Sequence, residues 1–292
     1  MKVGIGFPAK SYEQVEKYVK AAIDYPLESF VCYGDLGDMP PYMALSVHIQ
    51  ALTDSPIRYI GPLGSPVGRM DTELLASHAK AFEGILGGRS LVGLVRGAFL
   101  DEIGGQAAPL SAVEDAIAEI RTQAPLSKLA IGGFGKRIVA MATRNEVDYI
   151  KLGGSASTKL ASYIMSQIKD SSPDKAPRII LGSVSVIDND VKAARLQARQ
   201  SVAKYLKVVG HLDPTLDADQ IDSLDRFTKT DSVLEISDSL LDAFSYCGTA
   251  DDVYERLQEA HTVGVDHVQL GTPHDIPSHK SSVRVIGEMA LT

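Results

Sequence analysis

Short apolar runs alternate with amphipathic stretches along the whole 292-residue chain. Val3–Phe7, Ser29–Tyr33, Arg58–Gly61, Ser90–Val95, Leu129–Gly132, Tyr149–Leu152, Arg178–Ile187 and His267–Leu270 read as eight strands. Between them apolar residues recur at helical spacing. The pattern predicts helices over Ser11–Tyr25, Tyr42–Leu52, Met70–Leu86, Ser111–Thr122, Lys136–Thr143, Ser157–Ile168, Val191–Val208 and Ser282–Ala290. Ser11 with Gln14, and Ser111 with Glu114, have capping-box spacing. Eight strands each followed by a helix predict a closed parallel (β/α)8 TIM barrel, as one domain over residues 1–292. An open doubly wound sheet is the alternative. The acidic, polar stretch at about 211–242 breaks the rhythm and reads as a helical insertion between strands seven and eight. It is placed to cover the barrel mouth, to meet a second subunit, or simply to face solvent.

Composition narrows the function. The net charge of −8 argues against nucleic acid or an anionic membrane as partner and leaves a small-molecule substrate open. Two cysteines, Cys32 and Cys247, fit a reducing, cytoplasmic setting better than a disulfide framework. The apolar run at the N-terminus is too short for a signal peptide, and none approaches the roughly 18 residues of a membrane span.

In a barrel the active site lies at the carboxyl ends of the strands. That rule collects Phe7 and Pro8; Tyr33, Gly34 and Asp35; Gly61–Pro66; Arg96, Gly97 and Ala98; Gly132, Gly133 and Gly135; Gly153, Gly154 and Ser155; and Gly271, Thr272 and His274. The set is rich in glycine and poor in carboxylate and histidine. It holds no obvious acid/base pair, no metal spacing, no nucleophile elbow and no P-loop lysine. Two glycine turns, Ile131–Lys136 and Asp148–Ser155, each lead into a helix whose first N–H groups can hold an anion. One such turn is ordinary; two on consecutive strands suit a phosphate-bearing cofactor that brings its own chemistry. Tyr33 is a candidate proton donor, ring contact or packing residue, and Arg96 a phosphate ligand or loop ion pair. His274 is a candidate general acid or a solvated loop residue. Nothing beside Cys32 would activate its thiol, and His48 and His78 lie on helices. Lys136 and Arg137 open a helix where cations oppose the dipole, which suits an anionic tail or plain solvent.

The runs Met1–Phe7, Ile60–Pro66, Leu86–Leu94, Pro109–Val113, Ile131–Ser155, Asp242–Val253 and Ala260–Val268 together resemble the bacterial-luciferase-like superfamily of flavin and deazaflavin oxidoreductases. The branch they look most like is the methylenetetrahydromethanopterin reductases, which use coenzyme F420. The resemblance implies the same barrel, a dimer or higher homo-oligomer, and hydride transfer between coenzyme F420, or alternatively FMN, and a small organic substrate. An FMN-dependent monooxygenase and a catalytically silent ligand-binding member are the other readings. By the same resemblance Gly61, Pro62, Leu63 and Gly64 lie behind the ring, where the family often has a non-prolyl cis peptide; a plain turn is the alternative. Gly132, Gly133 and Gly135 match backbone contacts to the cofactor side chain, and Gly153, Gly154, Ser155 and Ala156 match a phosphate loop. Asp35, Tyr33 and Arg96 are the catalytic candidates. Two departures stand out. The stretch Cys32–Asp35 lacks the histidine of the family's Asp-His pair, and Gly6 stands where the reductase branch has glutamate.

Overall fold

The computed structural model describes residues 2–34, 39–100, 105–171, 175–274 and 282–292. In chain order its elements are β1 (Val3–Pro8), α1 (Tyr12–Ala22), β2 (Ser29–Tyr33), α2 (Pro41–Ser46), α3 (Ile49–Asp54), β3 (Tyr59–Pro62), β4 (Ser65–Pro66) and α4 (Thr72–Leu86). There follow β5 (Leu91–Val95), α5 (Leu110–Gln123), β6 (Lys128–Gly132), α6 (Lys136–Arg144), β7 (Tyr149–Gly153), α7 (Thr158–Asp170), β8 (Arg178–Ile187) and α8 (Val191–Val209). The chain ends with α9 (Ala218–Thr230), α10 (Asp238–Phe244), β9 (Ser245–Gly248), α11 (Ala250–Thr262), β10 (His267–His274) and α12 (Ser282–Met289).

The strands form one parallel sheet in the order β3-β2-β1-β10-β8-β7-β6-β5-β4, with β9 added beside β8. A bridge between Ile60 and Ser90 brings β3 against β5 and nearly closes the ring. The expected eight-stranded barrel is therefore present, and the open-sheet alternative is not. Side chains alternate across its wall. Ile150 and Leu152 join the core under the helices, while Tyr149 joins an inner cluster with Val31, Tyr33, Tyr59, Leu63, Leu91, Ala130 and Ile180. Helices α9 and α10 lie in the expected insertion and share a separate core with α8, through Leu206, Leu224, Phe227 and Leu240.

Several local expectations need correction. The single helix over Tyr42–Leu52 is two, broken at Val47–His48. Ser46 Oγ donates to Met43 O, a local bond that competes with the helical ladder. Helix α5 starts at Leu110 behind Pro109, which puts Ser111 inside the helix, and Glu114 accepts instead from Arg144 and Asn145. That capping box does not form. At α1 Ser11 Oγ accepts from Gln14 N, but Gln14 Oε1 reaches Lys10 N, one residue before the cap. Strands β4 and β9 were not foreseen.

The amino-end mouth of the barrel is closed by charge. Glu28 pairs with Arg58 at 3.1 Å, and Asp266 pairs with Arg178 at 3.0 Å and Lys2 at 3.3 Å. The Arg178 and Arg58 guanidiniums also lie over the rings of Tyr149 and Tyr59. His267 sits fully buried between Asp266 and Ser29. Charge pairing at this end serves stability, since barrel chemistry lies at the other.

Burial holds the His267 pKa below its ordinary value, against the pull of Asp266. Burial would raise Asp266, but His267, Arg178 and Lys2 together hold it well below the carboxylate range. The folded chain therefore refuses a proton that the unfolded chain accepts as pH falls through about 6.5. Stability should drop as pH falls below that value. A second loss should begin near the unfolded aspartate pKa of about 3.9. Urea midpoints between pH 8 and 4 test this: the wild type should weaken steadily below pH 6.5 and His267→Gln should flatten that slope. A flat wild-type profile between pH 7 and 5 would contradict it.

Candidate active site

At the carboxyl ends of the strands lies a cavity of about 810 Å³. Glycine makes it. The inward positions of β5, β6, β7, β8 and β10 at this level are Gly93, Gly132, Gly153, Gly182 and Gly271, and all five line the cavity. Larger side chains reach across the space they leave. A Cβ on Gly93 would meet Leu63 at 2.2 Å, one on Gly132 would meet Val95 at 2.6 Å, and one on Gly182 would meet Lys151 Cε at 2.9 Å.

The floor explains the missing glutamate. Gly6 on β1 faces Tyr33, whose hydroxyl would stand 2.1 Å from a Cβ there. Tyr33 thus occupies the room that a strand-one side chain would need. It is 8% exposed and lines the cavity. The Lys151 ammonium lies 4.0 Å from the centroid of its ring, a cation–π distance. Lys151 is 7% exposed, with its side chain on the cavity side of β7, in step with Tyr149 and Gly153. Sequence reading passed over this lysine. Its signal was a lone charge at an inward position of an otherwise apolar strand. No aspartate or glutamate lines the cavity among the described residues.

Around the rim, Leu63 and Gly64 form a bulge between β3 and β4. Leu63 N–H donates to Cys32 O, and Gly64 takes φ +83°, a left-handed conformation that favours glycine. Both residues line the cavity. The bulge needs no cis peptide: none occurs among the described residues. Gly61 and Pro62 lie outside the cavity, and Gly61 serves closure instead, because a Cβ there would strike Leu91 O at 2.1 Å. Phe99 and Tyr205 meet edge to face across the opening, 5.7 Å apart, and Val209 and Leu212 extend that wall. Leu212 alone comes from the insertion among the described residues. Thr272 adopts φ +44° where β10 bulges, and its buried hydroxyl has no partner among the described residues. A β-branched residue in that conformation is an outlier.

The two glycine turns divide. Gly132, Gly133 and Gly135 all line the cavity, beside the start of α6. No side chain caps that helix; Ile138 N–H donates to Gly135 O, and the N–H groups of Lys136 and Arg137, two residues that line the cavity, remain for a ligand. Neither cation forms an ion pair or side-chain hydrogen bond among the described residues. In the other turn Gly153 and Gly154 reach the cavity but Ser155 and Ala156 do not. Gly154 N–H donates to Gly182 O, Ala156 N–H to Ala243 O, and Ser157 N–H to Ser155 Oγ. The expected phosphate loop spends these donors on the fold itself. An anion is better served at α6.

Arg96 lines the cavity while its Nε holds Ala108 O at 2.6 Å, which latches the loop after β5. Asp35 lies outside the described residues, as does the side chain of His274. Cys32 is buried and its thiol is pushed up to about 12 by that burial, so it is no nucleophile. His78 packs on Tyr42 away from the cavity. If Tyr33 fills the space at Gly6, Gly6→Ala should cost about 1–3 kcal/mol in denaturant unfolding. Most of that cost should vanish in a Tyr33→Ala background. Equal costs in both backgrounds would refute the packing account.

No family model matches the sequence. The chain is 23% identical to the 5,10-methylenetetrahydromethanopterin reductase of Methanolobus tindarius, over 99% of both chains. It is 27% identical to the enzyme of that name from Archaeoglobus fulgidus, over 99% of this chain and 98% of the other. The coenzyme F420-dependent tetrahydromethanopterin reductase of Methanopyrus kandleri superposes with a TM-score of 0.74 at 14% identity, covering 99% of this chain and 98% of that one. The FMN-bound oxygenating component of 3,6-diketocamphane monooxygenase from Pseudomonas putida superposes at 0.67 with 14% identity, covering 100% and 98%. In sequence over its whole length and in its barrel, the chain resembles the luciferase-like flavin and deazaflavin oxidoreductases, near their methylenetetrahydromethanopterin reductase branch.

Proposed function

We propose that this chain is an oxidoreductase that binds coenzyme F420 in the glycine-walled cavity and reduces or oxidises a small organic substrate there. The observation that carries this reading is the cavity's construction. Its size falls within the range of about 300–1,000 Å³ usual for ligand sites. Its walls are apolar and free of carboxylate among the described residues, and an uncapped helix with two cations opens onto its rim. These residues fit a planar ring with an anionic tail. Added Cβ atoms at Gly93, Gly132 or Gly182 would strike the side chains that shape the cavity. When bound, the group would supply hydride transfer at its ring.

The chain's own residues do the rest. Lys136, Arg137 and the first N–H groups of α6 would hold the anionic tail. Leu63 and Gly64 would support the ring from the β3–β4 bulge, and Gly132, Gly133 and Gly135 would keep its path to the rim open. Phe99, Tyr205 and Val209 form a wall that sheds water from the opening, and the fixed frame supplies proximity and orientation. Reduction of a pterin aided by a strand-one carboxylate does not fit this floor, where Tyr33 has taken that space. FMN is the second reading, favoured by the fold shared with the FMN-bound monooxygenase component.

The chain has no tryptophan, so a bound ring can be followed by its own fluorescence. Titration should show F420 binding in the low micromolar range or better, a value of about −8 kcal/mol. Joint Lys136→Ala and Arg137→Ala substitution should weaken it at least ~10-fold and flatten its salt dependence. Preference for FMN would move the function to a flavin enzyme. Binding of neither ring would refute the reading.

A further inference from the structure

We infer that Thr272 is a ligand-contacting residue, whose hydroxyl is kept at a strained position to hydrogen-bond the amide-like edge, a C=O or a ring N–H, of the planar ring that the cavity binds; this rests on the oxidoreductase reading above.

Three local rules are broken at this one residue. Threonine is β-branched, yet Thr272 takes φ +44°. It precedes Pro273, and the residue before a proline is driven toward extended backbone at negative φ. Its hydroxyl is buried without a partner among the described residues, which costs the desolvation of that group. Glycine would follow the same backbone path with neither a strained side chain nor an orphaned hydroxyl. Outliers of this kind cluster where a ligand is clamped, and they persist only where their surroundings fix them.

The surroundings of Thr272 do fix it. On one side Gly271 pairs with Gly6 on β1 and Val184 on β8, and its carbonyl accepts from Ser185 Oγ at 3.4 Å. On the other, Pro273 O accepts from the Tyr18 hydroxyl at 2.9 Å. The register of β10 against β8 shifts between Gly271 and His274, so the bulge falls on Thr272 and Pro273. Bulges beside a site re-aim a side chain.

The placement suits the head of a ligand. Thr272 lines the cavity. Ser183, the other serine or threonine among the described lining residues, is spent on Phe244 O. In the order of strands β8 and β7 separate β10 from β6, the strand that leads into α6. Thr272 therefore stands across the mouth from the proposed tail site, and a ligand tethered at α6 turns its ring toward β10. A hydroxyl both donates and accepts, so a carbonyl or an N–H on that edge would give it the partner it lacks. The hydroxyl oxygen is covered by neighbouring atoms although the residue is partly exposed, so the contact takes one staggered χ1 step.

Three variants separate hydroxyl from strain. Thr272→Val keeps the shape and the strain and loses the hydroxyl, Thr272→Ser keeps the hydroxyl, and Thr272→Gly loses both. In the ligand-free chain Thr272→Gly should unfold about 2 °C above wild type, and Thr272→Val no lower than wild type. A Thr272→Gly midpoint well below wild type would assign the residue to building the bulge and overturn the inference. Ring binding is then followed by the fluorescence of F420 or FMN. Thr272→Val and Thr272→Gly should bind the ring ~10-fold more weakly, and Thr272→Ser within ~3-fold of wild type. The phosphate-free forms, riboflavin for FMN and the ribityl hydroxydeazaflavin for F420, should lose the same factor in Thr272→Val. A loss confined to the phosphate-bearing forms would make this a tail contact and overturn the inference. Unchanged ring affinity in Thr272→Val would overturn it and leave the cofactor reading standing, whereas a wild type that binds neither ring would overturn both.

Discussion

A closed barrel of eight parallel strands has an interior just wide enough for side chains to fill, and what fills it decides what the barrel can do. In this chain the lower interior is packed by Tyr59, Leu91, Tyr149 and Ile180. Above them five strands present glycine, and the interior opens into a cavity. The rest of the site follows from that omission. Tyr33 lies across Gly6, Leu63 across Gly93, Val95 across Gly132 and Lys151 across Gly182. Each large side chain rests in space that a neighbouring strand gave up, so the floor and walls are made by pairs. Neither member of a pair can change alone without a clash or a void, which costs of order 1–5 kcal/mol in a packed interior.

The same interior is polarised along its axis. At the amino end, carboxylates and guanidiniums neutralise one another and the guanidiniums stack on tyrosines, which closes the barrel interior there. Glu28, Asp266 and His267 come close enough to resemble a metal cluster, but both carboxylates are already held by Arg58, Arg178 and Lys2. At the carboxyl end the described wall holds cations and no carboxylate. The overall charge of −8 therefore hides a described cavity wall that carries cations and no carboxylate. Bulk charge speaks of partners such as nucleic acid, and only the local field speaks of the ligand.

Much of the barrel was legible because a two-residue period marks strands and glycines mark their ends. Gly132, Gly133 and Gly135 could be placed at the mouth from order alone. Strand β9 escaped because Ser245–Gly248 is short and follows α10 directly; the ten-residue length of β8, against which it pairs, was the available clue. The loop after β7 was harder to read for a different reason. Glycine-rich turns advertise N–H donors, but whether those donors are free depends on tertiary partners such as Gly182 O and Ala243 O, which local sequence does not reveal. Lys151 was passed over because a charged residue in a strand reads as solvent-facing until the parity of Tyr149 and Gly153 is followed.

The central claim is that glycine hollows the barrel to admit a ring. Gly153 tests it most directly, because a Cβ there meets nothing nearer than Lys151 Cε at 3.9 Å and a side chain would grow into the cavity. The measurement is binding of F420 and FMN to Gly153→Leu, with the thermal midpoint recorded alongside. The account predicts a folded protein, its midpoint within a few degrees of wild type, whose affinity for the ring has fallen at least ~100-fold, the loss of about 2.7 kcal/mol. Ring binding undiminished in a folded Gly153→Leu would place the ligand elsewhere and contradict it.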